Sequence, residues 1–106
     1  MLTKTLINGT MPGEDLYRVD ETVLDDETDY LAVPLGYNLT LTAVPAEGDS
    51  VAVFVTTKES STPDTIVSGD WESVTQLPTF GTSVQVTWAK VVATGDVTVR
   101  GWMRKC

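Results

Sequence analysis

Residues 37–57 read YNLTLTAVPAEGDSVAVFVTT, and they decide the fold. Tyr37, Leu39, Leu41 and Ala43 fall on one side of an extended chain, and Asn38, Thr40 and Thr42 on the other. That period of two belongs to a strand with one buried face. Pro45-Ala46-Glu47-Gly48-Asp49 then breaks the run and reads as a short antiparallel link. Beyond it Val51, Val53 and Val55 share a face while Ala52 and Phe54 take the other, which predicts a strand covered on both sides.

The same grammar continues outward. Residues 83–92 begin with Val84, Val86 and Trp88 in phase, then run into Ala89-Lys90-Val91-Val92, a slip that predicts a β-bulge near Ala89 and a core position for Trp88. Ala93-Thr94-Gly95-Asp96 reads as a tight hairpin turn, since glycine takes positive φ at no steric cost. Val97, Val99 and Gly101 then alternate with Thr98, Arg100 and Trp102. Tyr30-Leu31-Ala32-Val33 is a further strand, stopped by Pro34-Leu35-Gly36. Seventeen Thr and fifteen Val in 106 residues supply the β-branched side chains that suit a pleated surface. Helix signals are weak: Ser60 to Val67 has room for a turn or two, limited by Pro63, and Thr62-Pro63-Asp64 and Leu77-Pro78-Thr79 read as loops.

Seven or eight short one-sided strands must bury their apolar faces against a second sheet, because no helix is available to cover them. The expected fold is all-β: a two-sheet antiparallel β-sandwich, jelly-roll-like, over residues 30–106, with an extended acidic N-terminal arm over residues 1–29. The chain is one domain, and the arm's Leu2, Leu6, Ile7, Leu16 and Val19 are expected to be buried across a neighbouring molecule.

Composition narrows the function. Fifteen carboxylates against seven Lys and Arg give a formal charge of −8, which disfavours nucleic acid and anionic membranes as partners. There is no histidine, so the commonest general base and the commonest zinc and copper ligand are missing. No nucleophile elbow or glycine-rich phosphate loop occurs, and no catalytic residue, metal or cofactor is expected. The only cysteine, Cys106, permits no internal disulfide; it reads as a terminal thiol without a role, or as an interchain or attachment thiol. No signal peptide or membrane-spanning run is evident, so a soluble chain made in a reducing cytosol is expected. The sequons at Asn8-Gly9-Thr10 and Asn38-Leu39-Thr40 then read as chance in a threonine-rich chain.

Charge is unevenly spread. Glu14 to Asp29 holds eight of the fifteen carboxylates, densest at Asp25-Asp26-Glu27. A calcium loop starting at Asp25 would need Gly where Tyr30 stands and Glu where Gly36 stands, so the plainer reading is a solvated acidic loop. Four of the seven cations, Lys90, Arg100, Arg104 and Lys105, lie in the last seventeen positions. An acidic head and a basic tail can steer copies of one chain onto each other. Paired-carboxylate hydrolysis would need two acids facing across a cleft, which a hydrated run does not provide. Among the aromatic residues, Trp102 shares the polar phase of Thr98 and Arg100, and Trp71 opens a strand after Ser68-Gly69-Asp70. These two, with Arg100, Arg104, Lys105, Asp25, Asp26 and Glu27, are the candidate partner-binding residues; a surface glycan is the other ligand that exposed tryptophans could take.

The run VSGDWESVTQ at 67–76, then TSVQVTWAKVVATGDVTVRGWM at 82–103, resembles small β-sandwich structural proteins of tailed bacteriophage virions. YLAVPLGYNLTLTAVPAEGDSVAVFVTT at 30–57 is similar in its strand and Gly-turn order, so the resemblance covers residues 30–103. It implies a non-enzymatic virion protein of the capsid decoration or cement kind, often a jelly-roll homotrimer, that clamps neighbouring major capsid subunits. It also admits a tail or fibre component, and beside both stands a carbohydrate-binding or adhesin module. It carries no catalytic residue with it.

Overall fold

The computed structural model describes residues 2, 4–7, 16–74, 79–82 and 85–105, without the side chains of Ile7 and Phe80. The sequon at Asn8, the acids Glu14 and Asp15, Leu77-Pro78, Val84 and Cys106 lie outside the described residues. Nine strands form among them: β1 (Thr5–Ile7), β2 (Leu16–Val23), β3 (Thr28–Ala32), β4 (Tyr37–Pro45), β5 (Ser50–Thr56), β6 (Glu72–Ser73), β7 (Thr79–Gly81), β8 (Trp88–Thr94) and β9 (Val97–Lys105). A five-stranded sheet runs β1-β2-β9-β4-β7 and a four-stranded sheet runs β3-β8-β5-β6, with every pairing antiparallel. Counting from β2, the two orders are β2-β9-β4-β7 over β3-β8-β5-β6, the strand order of a jelly roll.

The alternation does what its period requires. Leu39, Leu41 and Ala43 of β4 and Val97, Val99 and Met103 of β9 turn inward and are almost fully buried. They meet Leu31 of β3, Val53 of β5 and Ala89, Val91 and Ala93 of β8 in one core between the sheets. Burying each Leu or Val there is worth about 1.5–3 kcal/mol. Residues Ala52 and Phe54 on the other side of β5 are half-buried, as a strand covered on both sides should be. The helical potential at Ser60 to Val67 amounts to one 3₁₀ turn at Pro63–Thr65, with a second at Ser68–Asp70.

Three local expectations are corrected. The links at 46–49 and 95–96 are not hairpins, because β4 and β5, and β8 and β9, lie in opposite sheets. Ladder length explains the choice: the nine residues of β4 find a nine-residue partner in β9, and the seven of β5 match the seven of β8. Pairing by matched length leaves few backbone groups without a partner. There is also no bulge at Ala89, since β8 pairs residue for residue with both neighbours. The strand starts only at Trp88, so the Val86 phase belongs to a separate segment; Ala89 and Val91 face the core, and Trp88 and Lys90 face out. Trp88 is nonetheless buried, because the segment after β5 passes over it and the carbonyl of Ser60 accepts its indole N–H at 2.9 Å.

The third correction concerns the N-terminal segment. Residues 16–23 and 28–29 are extended, with a turn between them, but they form no detached arm: β2 pairs along its whole length with β9, and Val19 and Val23 are core residues. Leu2 is buried as well, its N–H donating to the carbonyl of Tyr30 at 2.9 Å. Alternating Tyr17, Val19 and Val23 needed a sheet, and β9 had a free side. Among the expected arm contacts whose side chains are described, Leu6 stays open to solvent, 47% exposed.

Candidate docking face of the five-stranded sheet

β9 lies in the middle of the five-stranded sheet, so its outward side chains sit at the centre of a broad surface. Thr98, Arg100, Trp102 and Arg104 project there, since Val97, Val99, Gly101 and Met103 take the inward phase. Register fixes their neighbours. Trp102 stands opposite Arg18 on β2 and Thr40 on β4; Arg100 stands opposite Asp20 and Thr42; Thr98 stands opposite Thr22 and Val44. Trp102 is 43% exposed and Val44 is 53% exposed.

Electrostatics on this face are mixed but lean positive. The Arg100 Nε donates to the Asp20 carboxylate at 3.2 Å, and both side chains remain largely solvated. The Arg104 guanidinium lies over the Trp102 ring, 5.5 Å from its centroid. Arg18 is exposed beside them. Thr42, Val44, Thr98 and Arg100 line a shallow depression of about 300 Å³. Gly101 brings β4 and β9 close behind it: a Cβ there would run into the Thr40 carbonyl oxygen and the Leu41 Cα. The backbone under the depression is therefore fixed by packing rather than by the surface side chains.

The other candidate residues lie elsewhere. Lys105 ends β9 opposite Tyr37, on the inward phase and at the far end of the strand. Trp71 lies over the outer face of the four-stranded sheet, half-buried, 6.0 Å from the Tyr30 ring. Lys90 sits between the Trp71 and Phe54 rings, with its Nζ 4.7 Å and 4.8 Å from their centroids. Trp71 thus closes an internal cation–π stack and does not join Trp102.

Asp25, Asp26 and Glu27 occupy the β2–β3 turn at the opposite end from Lys105. The Asp25 carboxylate accepts the Gly95 N–H at 2.7 Å, and the Asp25 N–H donates to the Asp96 carboxylate at 3.0 Å. Gly95 takes φ +79°, and a Cβ on it would strike the Asp49 carboxylate. Three turns, at 24–27, 46–49 and 95–96, are thereby gathered into one end of the sandwich. Six exposed carboxylates stand there, Asp25, Asp26, Glu27, Glu47, Asp49 and Asp96, and these turns contain no Lys or Arg. Among the described residues no three of the acids are placed to hold a metal ion. The acidic head and the arginines are thus parted within one molecule.

Arg18, Val44 and Leu24 were not singled out by sequence reasoning. The signal for Arg18 was present: the Tyr17, Val19 and Val23 phase puts Arg18, Asp20 and Thr22 on the opposite face. Leu24, 52% exposed beside the three acids, had no periodic signal because it sits in a turn. No protein-family model, no curated protein and no solved structure matches the chain.

Proposed function

We propose that this chain is a non-enzymatic structural protein of a bacteriophage virion, of the capsid decoration or cement kind, which docks as a homotrimer onto neighbouring major capsid subunits. One observation carries the reading: a half-exposed tryptophan flanked by three arginines, Arg18, Arg100 and Arg104, on the central strand of a sheet face, in a chain of net charge −8. Trp and Arg are the residues that dominate binding energy in protein interfaces, where central rings are desolvated and rim polar groups exclude water. A rigid β-sandwich offers such a face preorganised, with little ordering cost on association.

The second reading, a glycan-binding or adhesin module, draws on the same exposed ring. Against it, the Arg104 guanidinium already lies over the Trp102 ring, where a sugar would have to stack. A tail or fibre placement uses the same chemistry as a capsid placement and differs only in the partner. The test is co-sedimentation of purified chain with heads of a tailed phage whose genome encodes it. Retention on heads that is lost in Trp102→Ala is the expected result. Failure of the wild-type chain to bind heads, together with binding to a glycan array that Trp102→Ala abolishes, would replace the capsid reading with the adhesin one.

A further inference from the structure

Resting on the docking role proposed for this face, we infer that the partner protein contributes a short, extended acidic segment, which lies over Trp102 with its carboxylates on Arg18 and Arg104. The outward positions of β2, β9 and β4 hold three cations, Arg18, Arg100 and Arg104, against one carboxylate, Asp20. That acid is engaged by Arg100, at 3.2 Å. No described carboxylate pairs with Arg18 or Arg104, and both side chains are exposed. The two are diagonal neighbours in the β2–β9 ladder, since Arg18 stands opposite Trp102 and Arg104 is the next outward residue of β9. Diagonal neighbours on one sheet face are about 7–8 Å apart, so these two like charges repel until anions reach them.

The spacing selects the kind of anion. Alternate side chains of an extended peptide point the same way and lie about 7 Å apart, close to the diagonal distance between the two arginines. A segment with an acid at every second position can therefore set one carboxylate on each guanidinium, the pairing that guanidinium geometry favours. The half-exposed Trp102 ring, with the Arg104 guanidinium 5.5 Å from its centroid, is the apolar floor beneath. The chain's own acidic turns stand clear of this place. Trp102 lies about 17 Å along β9 from Val97, where those turns begin, and charges are screened over about 8 Å at physiological salt. A short segment meets only the arginines. A long polyanion following the strands would reach Asp25, Asp26, Glu27 and Asp96 and be repelled, which favours an acidic stretch of protein over nucleic acid.

Fluorescence anisotropy of a labelled, end-blocked peptide of alternating Glu and Ala tests the inference, with the counterpart carrying Gln for Glu as control. The acidic peptide should bind with a Kd of about 1 mM or tighter, and raising NaCl from about 0.05 M to about 0.5 M should weaken it about tenfold. The Gln peptide should not bind. Arg18→Gln and Arg104→Gln should each weaken binding about fivefold or more, whereas Arg100→Gln, whose partner is Asp20, should change it less than about twofold. Arg18→Gln and Arg104→Gln should also lose retention on phage heads while keeping the wild-type circular dichroism spectrum and melting temperature. No binding of the acidic peptide, equal binding of the two peptides, equal effects of the three arginine variants, or tighter binding of a single-stranded oligonucleotide of the same charge would each overturn the inference. Retention on heads that needs Trp102 but is indifferent to Arg18→Gln and Arg104→Gln would overturn it while leaving the docking role standing. A chain that binds the acidic peptide as expected but ignores heads would do the reverse.

Discussion

The two outer faces of the sandwich make an instructive pair. Each central strand carries an outward tryptophan, Trp88 on β8 and Trp102 on β9, yet the first is 8% exposed and the second 43%. The difference is the chain that follows β5. Residues 57–71 pass over the four-stranded sheet: the Thr87 hydroxyl donates to the Lys58 carbonyl, the Trp88 indole to the Ser60 carbonyl, and Trp71 closes over Lys90. Nothing comparable lies over Trp102 among the described residues. One face has been covered by the molecule itself, and its twin stays open among the described residues.

The largest effect should come from removing the covered ring. Trp88→Ala deletes a buried side chain and the anchor for Ser60, and should cost about 3–5 kcal/mol in a urea titration. Lys90→Met keeps the length of the stem but removes the charge between two rings. It should cost about 1 kcal/mol and speed proteolytic nicking within 57–71. Trp102→Ala should change stability by less than about 1 kcal/mol while abolishing retention on phage heads, because the ring is half-solvated. Equal losses for Trp88→Ala and Trp102→Ala would break the comparison outright. Arg100→Gln should shift the unfolding midpoint least, by about 0.5 kcal/mol or less, since its pair with Asp20 is largely exposed.

Much of this contrast was legible along the chain, and the remainder had a physical reason to be hidden. Strand phase is local, so the inward set of β4 and the outward place of Trp102 followed from alternation alone. Partner choice is not local. Whether Gly95-Asp96 folds β8 back onto β9 or throws it to the opposite sheet depends on ladders made with β2, β4, β3 and β5, far away in sequence. The same holds for the face. Arg18 and Arg100 are eighty-two positions apart in sequence, and only the β2–β9 register, which sets Arg18 against Trp102, brings them together. Trp71 reads like Trp102 in isolation, a tryptophan near polar residues, until β8 and β5 supply the Lys90 and Phe54 that enclose it.

The position of β9 between β2 and β4 also governs how the molecule comes into being. It is the last of the nine strands to emerge from the ribosome, and it is the one that joins the two halves of the larger sheet. Until it arrives, β2 and β4 each present an open edge with its apolar side uncovered, the state from which nascent chains aggregate. Synthesis that stalls before Val97 should therefore yield an insoluble product, and a supplied peptide spanning Val97–Lys105 should rescue it by strand addition.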